Sequence, residues 1–195
     1  MAHLAGLLAV CIIALPYTLA DQNAVEPTVG NTTLESPKVT NWGSWGGWEY
    51  CPAGTYVTGM QLKTEYYQGA FSDDSGLNGV RFYCGPVGGN SDLDHPISST
   101  VGPDGGFNLQ YLCAGPANGF ELRSEKDLGW FNDDTAASNL RLYCDGSYKE
   151  GDGVSWGSWT GVQACPAKSA ICALRTQVEP TNGDFHVTYK LLMIV

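Results

Sequence analysis

Charged side chains are scarce in this chain of 195 residues: Asp, Glu, Lys and Arg together make up 15%, and ten basic residues face twenty acidic ones. The net charge of −10 repels a phosphate backbone, and no local basic cluster offsets it, which argues against nucleic acid as a partner. Only three histidines occur, His3, His95 and His186. With so few bases, and with the cysteines committed to bridges as argued below, a serine or cysteine triad lacks its parts. No Cys-x-x-Cys pair, no His-Glu-x-x-His and no glycine-rich phosphate loop is present, so no metal or other cofactor is implied. Apolar runs are short as well. Beyond Leu4–Ala20 none approaches the ~20 residues of a spanning helix, and the closing Lys190–Val195 reads as a last strand.

What is present is apolar content of 43%, with 25 Gly, ten Tyr and six Trp, the composition of a turn-rich globular protein of one domain. Leu4–Ala20 is uncharged, and Thr18-Leu19-Ala20 precedes Asp21, so residues 1–20 read as a signal peptide cleaved after Ala20. Residues 21–40 are polar and read as a flexible tail, with N-glycosylation expected at Asn31 of Asn31-Thr32-Thr33. Secretion implies disulfides. Loss of Cys11 with the leader leaves an even set: Cys51, Cys84, Cys113, Cys144, Cys165 and Cys172.

The body, residues 41–195, is internally repetitive. Gly69-Ala70-Phe71-Ser72-Asp73-Asp74 leading to Arg81-Phe82-Tyr83-Cys84 matches Gly129-Trp130-Phe131-Asn132-Asp133-Asp134 leading to Arg141-Leu142-Tyr143-Cys144, with seven of sixteen positions identical. Ahead of each return lies a matching Leu62-Lys63-Thr64-Glu65 or Leu122-Arg123-Ser124-Glu125, and Leu174-Arg175-Thr176-Gln177 supplies a third copy. Asp184 stands eleven residues before the last residue, as Asp73 and Asp133 stand before Cys84 and Cys144. The units span about 41–94, 95–150 and 151–195. Within them Val80, Phe82 and Cys84 alternate with Arg81 and Tyr83, and Leu140, Leu142 and Cys144 with Arg141 and Tyr143: half-buried strands of an all-β fold. Equivalent units should make equivalent bonds, which pairs Cys51 with Cys84 and Cys113 with Cys144 and leaves Cys165 to Cys172.

A tryptophan-glycine opening (Trp42-Gly43-Ser44-Trp45, returning as Trp156-Gly157-Ser158-Trp159), the Cys51-Pro52-Ala53-Gly54 turn, the Leu-Lys-Thr-Glu strand and the Asp-Asp to Arg-Phe-Tyr-Cys return together resemble the vitelline membrane outer layer protein 1 family over about residues 40 to 195. The resemblance implies a β-prism of three Greek-key sheets with pseudo-threefold symmetry, secreted into an extracellular coat such as that of the egg. The third unit departs from the pattern: its aspartate is single and Leu192-Met193-Ile194-Val195 replaces the cysteine-ending return. Trp42, Trp45, Trp156 and Trp159 are expected to fill the centre of such a prism.

Candidate glycan contacts are Asp73, Asp74, Asp133, Asp134 and Asp184, with Trp48 and Trp130 as stacking surfaces that break the repeat. Turn-building is the structural alternative for the aspartates, and Glu65 and Glu125 are expected to pair with Lys63 and Arg123. Asn90, Asp92 and Asp94 imitate the start of a calcium loop, but His95 and Val101 occupy its glycine and glutamate positions. The expected function is a non-catalytic structural or carbohydrate-binding module whose partners are extracellular glycoproteins or glycans. The alternative is an enzyme acting on N-acetylglucosamine oligosaccharides through the aspartate carboxylates.

Overall fold

The computed structural model describes residues 32–39, 43–67, 75–126, 137–178 and 189–194. Every regular element among them is a strand. Three short strands come first: β1 (Thr33–Glu35), β2 (Ser44–Trp45) and β3 (Glu49–Tyr50). Then follow β4 (Tyr56–Glu65), β5 (Gly76–Gly85), β6 (Asp92–Ile97) and β7 (Gly106–Leu112). The rest are β8 (Gly119–Ser124), β9 (Ala137–Cys144), β10 (Ser147–Glu150), β11 (Ser158–Trp159), β12 (Gln163–Ala164), β13 (Ala173–Val178) and β14 (Tyr189–Ile194).

The described strands form three sheets, each built on a long antiparallel hairpin. In sheet one β4, β5 and β6 meander and β7 returns beside β4, giving the order β6-β5-β4-β7 of a Greek key. Sheet two repeats this as β10-β9-β8-β11, with β12 also on β8. Sheet three has the hairpin β13-β14, and its flanking strands arrive from the other end of the sequence: β1 pairs with β14, while β2 and β3 pair with β13. Each sheet therefore crosses the unit boundaries read from the repeat, since β7 completes sheet one, β11 and β12 complete sheet two, and β2 and β3 complete sheet three. Residues 33–35 are likewise not tail. Leu34 packs against the core and Ser36 is 1% exposed, so this part of the expected flexible segment is a strand of the prism.

Period-two alternation decides what lies inside. Val57, Met60 and Leu62 of β4, Leu77, Val80, Phe82 and Cys84 of β5, Phe120 and Leu122 of β8, Leu140 and Leu142 of β9 and Leu174 and Val178 of β13 meet in one buried cluster. Burial of each large apolar side chain contributes about 1.5–3 kcal/mol, and this shared centre is what three single-faced sheets need. The described tryptophans are not in it. Trp45, Trp156 and Trp159 are only half-buried, and Trp45 and Trp159 lie opposite the outward residues Gln177 and Arg123, which turns them to the outer faces. Trp42 lies outside the described residues.

Register also corrects the third unit. Lys63 lies opposite Phe107, Arg123 opposite Trp159 and Gln177 opposite Trp45, so Gln177 is the equivalent of Lys63 and Arg123. Arg175 then corresponds to Gln61 and Glu121. The matching of Arg175 to Lys63 by sequence is two residues out of step, a slip that preserves the alternation of sides and so leaves no trace in the hydrophobic pattern.

Cys51 is bonded to Cys84 and Cys113 to Cys144, as the repeat implies. Cys165 keeps a free thiol, so the expected Cys165–Cys172 bridge is not formed. The reason is placement. Cys51, Cys113 and Cys165 occupy equivalent sites, donating their N–H groups to the carbonyls of Cys172, Thr58 and Asn118 at 2.8–2.9 Å. Cys165 packs on the main core, whereas Cys172 is fully buried in a separate cluster with Tyr56 and Ala170. In the third hairpin Ile194 is followed by Val195, where Tyr83 and Tyr143 are followed by Cys84 and Cys144. Burial pushes the Cys165 thiol up to about 12, which keeps it protonated and unreactive at neutral pH.

Glycines with positive φ set where each flanking strand starts. At Gly105 (φ 71°) and Gly157 (φ 68°) a Cβ would sit 2.3 Å from Thr64 O and 2.1 Å from Ser124 O. Gly157→Ala should therefore cost more than about 2 kcal/mol in urea denaturation, from the left-handed backbone and the carbonyl clash together. Gly47→Ala, where an added Cβ meets nothing within 4 Å, should stay within about 0.5 kcal/mol of wild type.

Candidate functional site

With the inner faces sealed, chemistry is left to the outer ones. Each carries an arginine over an aromatic ring. On sheet one the Arg81 guanidinium lies 3.6 Å from the Phe107 ring centroid. On sheet two Arg141 is held between Trp159 (3.9 Å) and Tyr148 (4.5 Å). On sheet three Arg175 lies 4.7 Å from Trp45 and 5.5 Å from Trp48, whose ring stands 6.3 Å from that of Tyr50. The rings are equivalent by register, but the cations are not. Arg81 and Arg141 sit on the second strand of their hairpins, whereas Arg175 is on the first, opposite Leu192, which holds the register position of the other two. The same cation–aromatic contact is thus made from the opposite strand.

On the first two faces the tyrosine hydroxyls and the residues beside them are hydrogen-bonded, while Arg81, among the described residues, has only the Phe107 ring. Tyr83 Oη donates to Gln61 Oε1 (2.8 Å) and accepts from Gln110 Nε2 (2.9 Å), and Gln61 Nε2 donates to Asn108 O (2.8 Å). Lys63 Nζ donates to the carbonyls of Gly102 (2.6 Å) and Pro103 (2.7 Å). Glu65, expected to pair with it, accepts from the Ser75 N–H and hydroxyl instead. On sheet two Glu121 occupies the place of Gln61. Its carboxylate accepts from Tyr143 Oη (3.1 Å), Arg141 (3.4 Å) and the Gly161 N–H (3.0 Å). Glu150 takes the other edge of the Arg141 guanidinium at 2.7 Å. Burial and the Glu121 carboxylate hold the Tyr143 hydroxyl above its usual range.

Sheet three is less complete. Gln177 Nε2 donates to Gly43 O (3.0 Å), but the buried atoms Gln177 Oε1 and Arg175 Nε have no hydrogen-bond partner. Among the described residues no carboxylate lies within ion-pair distance of Arg175.

A junction between sheets one and two gathers further polar groups. Tyr66 Oη donates to the Asp152 carbonyl (2.7 Å) and accepts from Asn108 Nδ2 (2.9 Å), and the Asp152 carboxylate accepts from the Leu109 N–H (2.9 Å). Desolvation, with the nearby Asp152 charge, raises both Tyr66 and Tyr111. Elsewhere Asp92 is turned onto its own strand, accepting from the N–H groups of Asp94 (3.0 Å) and His95 (3.2 Å) and contacting the His95 ring at 3.0 Å. That hydrogen bond to His95 is the main cause of its lowered pKa. Cys113, Cys144 and Asp145 cluster within 4.8 Å, but the two sulfurs are bonded to each other and offer no thiolate to a metal.

Of the residues singled out from sequence, Trp48 is placed, on the outer face of sheet three. Asp73, Asp74, Asp133, Asp134, Asp184, Trp130 and Asn31 lie outside the described residues. The sequence reading missed Arg175, Gln177, Glu121 and Arg141 as a set. Their signal was there: a charged or amide pair two residues apart recurs on the outward side of the central strands, as Gln61 and Lys63, Glu121 and Arg123, and Arg175 and Gln177.

Residues 32–188 match the family model described as Vitelline membrane outer layer protein I. The chain is 38% identical over 157 residues to a human vitelline membrane outer layer protein 1 homolog, covering 75% of this chain and 74% of that one. It is 36% identical over 155 residues to the mouse homolog, covering 74% of each. Among solved structures it is similar to Calystegia sepium agglutinin (TM-score 0.52, 10% identity, 85% of this chain and 97% of that one). Calsepa lectin in complex with a biantennary N-glycan gives 0.52 at 12% identity, with the same coverage. At these identities the likeness is one of fold, and that fold is the β-prism.

Glu121→Ala should cost about 2–4 kcal/mol in urea denaturation, because Tyr143, the Gly161 N–H and one edge of Arg141 lose their acceptor together. Glu121→Gln should cost less than half of that, since Gln61 already does this work on sheet one. Burial first of all holds the hydroxyls of Tyr56, Tyr66, Tyr111 and Tyr143 above the ordinary tyrosine value of 10.0 in the folded chain. The unfolded chain therefore releases these protons first: their stabilisation is complete below pH 10 and is lost as pH rises through the folded values. The denaturation midpoint should fall above pH 10, with native tyrosinate absorbance rising later than in the unfolded chain.

Proposed function

Since the chain belongs to the vitelline membrane outer layer protein I family, we propose that it is a secreted, non-catalytic, carbohydrate-binding or structural component of an extracellular coat. The observation that carries this reading is the division of labour within the prism: an apolar centre with two disulfides at its edge, and outer faces studded with half-buried aromatic rings. Such a body is stiff, and it presents flat aromatic surfaces of the kind on which sugar rings stack. Several similar faces on one particle let weak contacts add up in a matrix. The fold is shared with a lectin solved in complex with a biantennary N-glycan, which supports glycans as partners. Two disulfides suit an oxidising compartment, and among the described residues no helix is long and apolar enough to cross a membrane.

The aspartates Asp73, Asp74, Asp133, Asp134 and Asp184, with Trp130, are proposed as further glycan contacts, and residues 1–20 as a removed leader with glycosylation at Asn31. A glycan array probed with the full secreted chain should show binding, and incubation with chito-oligosaccharides should yield no product. Product formation that is lost in Asp133→Asn would replace this reading with the enzymatic one.

A further inference from the structure

The three outer faces descend from one motif, which makes their differences informative. On face one Gln61, Tyr83 and Gln110 satisfy one another while Arg81 rests on Phe107 without a carboxylate among the described residues, and on face two Arg141 is neutralised by Glu121 and Glu150. Face three has lost the partners that would close it. Where the second hairpin strand offers Arg81 and Tyr83, or Arg141 and Tyr143, the third has Leu192 and Ile194 at those register positions, with Lys190 at the position opposite Gln177. Arg175 Nε and Gln177 Oε1 are left without partners, although Gln177 is only 5% exposed. Arg175 carries the one guanidinium among the three that is bracketed by two indoles, those of Trp45 and Trp48, with Tyr50 (37% exposed) extending the aromatic surface.

Building on the carbohydrate-binding reading above, we propose that this face, made of Trp45, Trp48, Tyr50, Arg175 and Gln177, binds an acidic saccharide. The sugar ring stacks on the Trp48–Tyr50 surface, and its carboxylate or sulfate accepts from the guanidinium. Two physical arguments select the acidic class. An arginine with no carboxylate near it, with its Nε buried and unpartnered between two indoles, is in a chain of net charge −10 a local reversal of sign that a neutral ligand would leave unused. The guanidinium is also planar and held between rings, so it meets a carboxylate or sulfate in a fixed orientation. Arg175 as a whole is half-buried while its Nε is shielded, so the ligand engages the end of the guanidinium.

The test uses the full secreted chain, with tryptophan fluorescence and calorimetry as readouts and three probes: a sialylated trisaccharide, a sulfated disaccharide and neutral lactose. Binding of at least one acidic probe, tenfold or more tighter than lactose and weakening with added salt, is the expected result. Arg175→Gln should lose at least tenfold, and Trp48→Ala, at a half-buried position, should lose a similar factor with the fold intact by circular dichroism. Arg81→Gln, on sheet one, where the guanidinium rests on a single phenyl ring and no indole pair flanks it, should bind as wild type. Equal affinity for neutral and acidic probes, or wild-type affinity in both Arg175→Gln and Trp48→Ala, overturns this site. Glycan binding that persists in those variants leaves the carbohydrate-binding reading standing without it, whereas absence of binding to any saccharide overturns both.

Discussion

The remaining structure depends on one constraint: three hairpins, each apolar on a single side, bury those sides against one another. None has a second layer of its own to pack on, so Met60 and Phe82, Phe120 and Leu142, and Leu174 share a single centre. Alternation along each strand then delivers every other residue to the surface. The outer faces are a by-product of that packing, which is why they repeat with the same spacing and why a change of residue there alters surface chemistry without touching the core.

Much of this was legible in the sequence because it depends on spacing. The repeat paired Cys51 with Cys84 and Cys113 with Cys144, and alternation put Val80 and Phe82 inside and Arg81 outside. What was not legible depends on which side a residue faces, or on which strand lies beside it. Cys165 and Cys172 are close in sequence but pack in different clusters. Trp45 and Trp159 are large enough to suggest a core, yet their strands lie opposite outward-facing residues. A two-residue slip in the third unit preserves every hydrophobic match, so only the strand beside it reveals that Arg175 stands where Gln61 and Glu121 do. That correction turned an apparent match to Lys63 into the arginine of sheet three that lies over Trp45 and Trp48.

The outer faces show how a repeated scaffold tolerates divergence. Gln61 and Glu121 solve one problem, an acceptor for a tyrosine hydroxyl, with and without charge. Arg141 needs two carboxylates beside it, whereas Arg81 rests on Phe107. The third face keeps the ring and moves the cation across the hairpin. Conserving a contact while exchanging the strand that provides it leaves the hydrogen-bonding groups around it unmatched, and unmatched groups are where a ligand gains the most.

The closing of sheet three by β1, β2 and β3 sets the order of events when the chain is made. Residues 33–50 leave the ribosome early, but their neighbours, residues 173–194, are translated more than a hundred residues later. For most of synthesis those first strands are an edge with nothing to hold, exposed to pairing with other nascent chains. Closure of the prism thus waits for the third hairpin, and whatever folding assistance the chain receives must act while that last seam is still open.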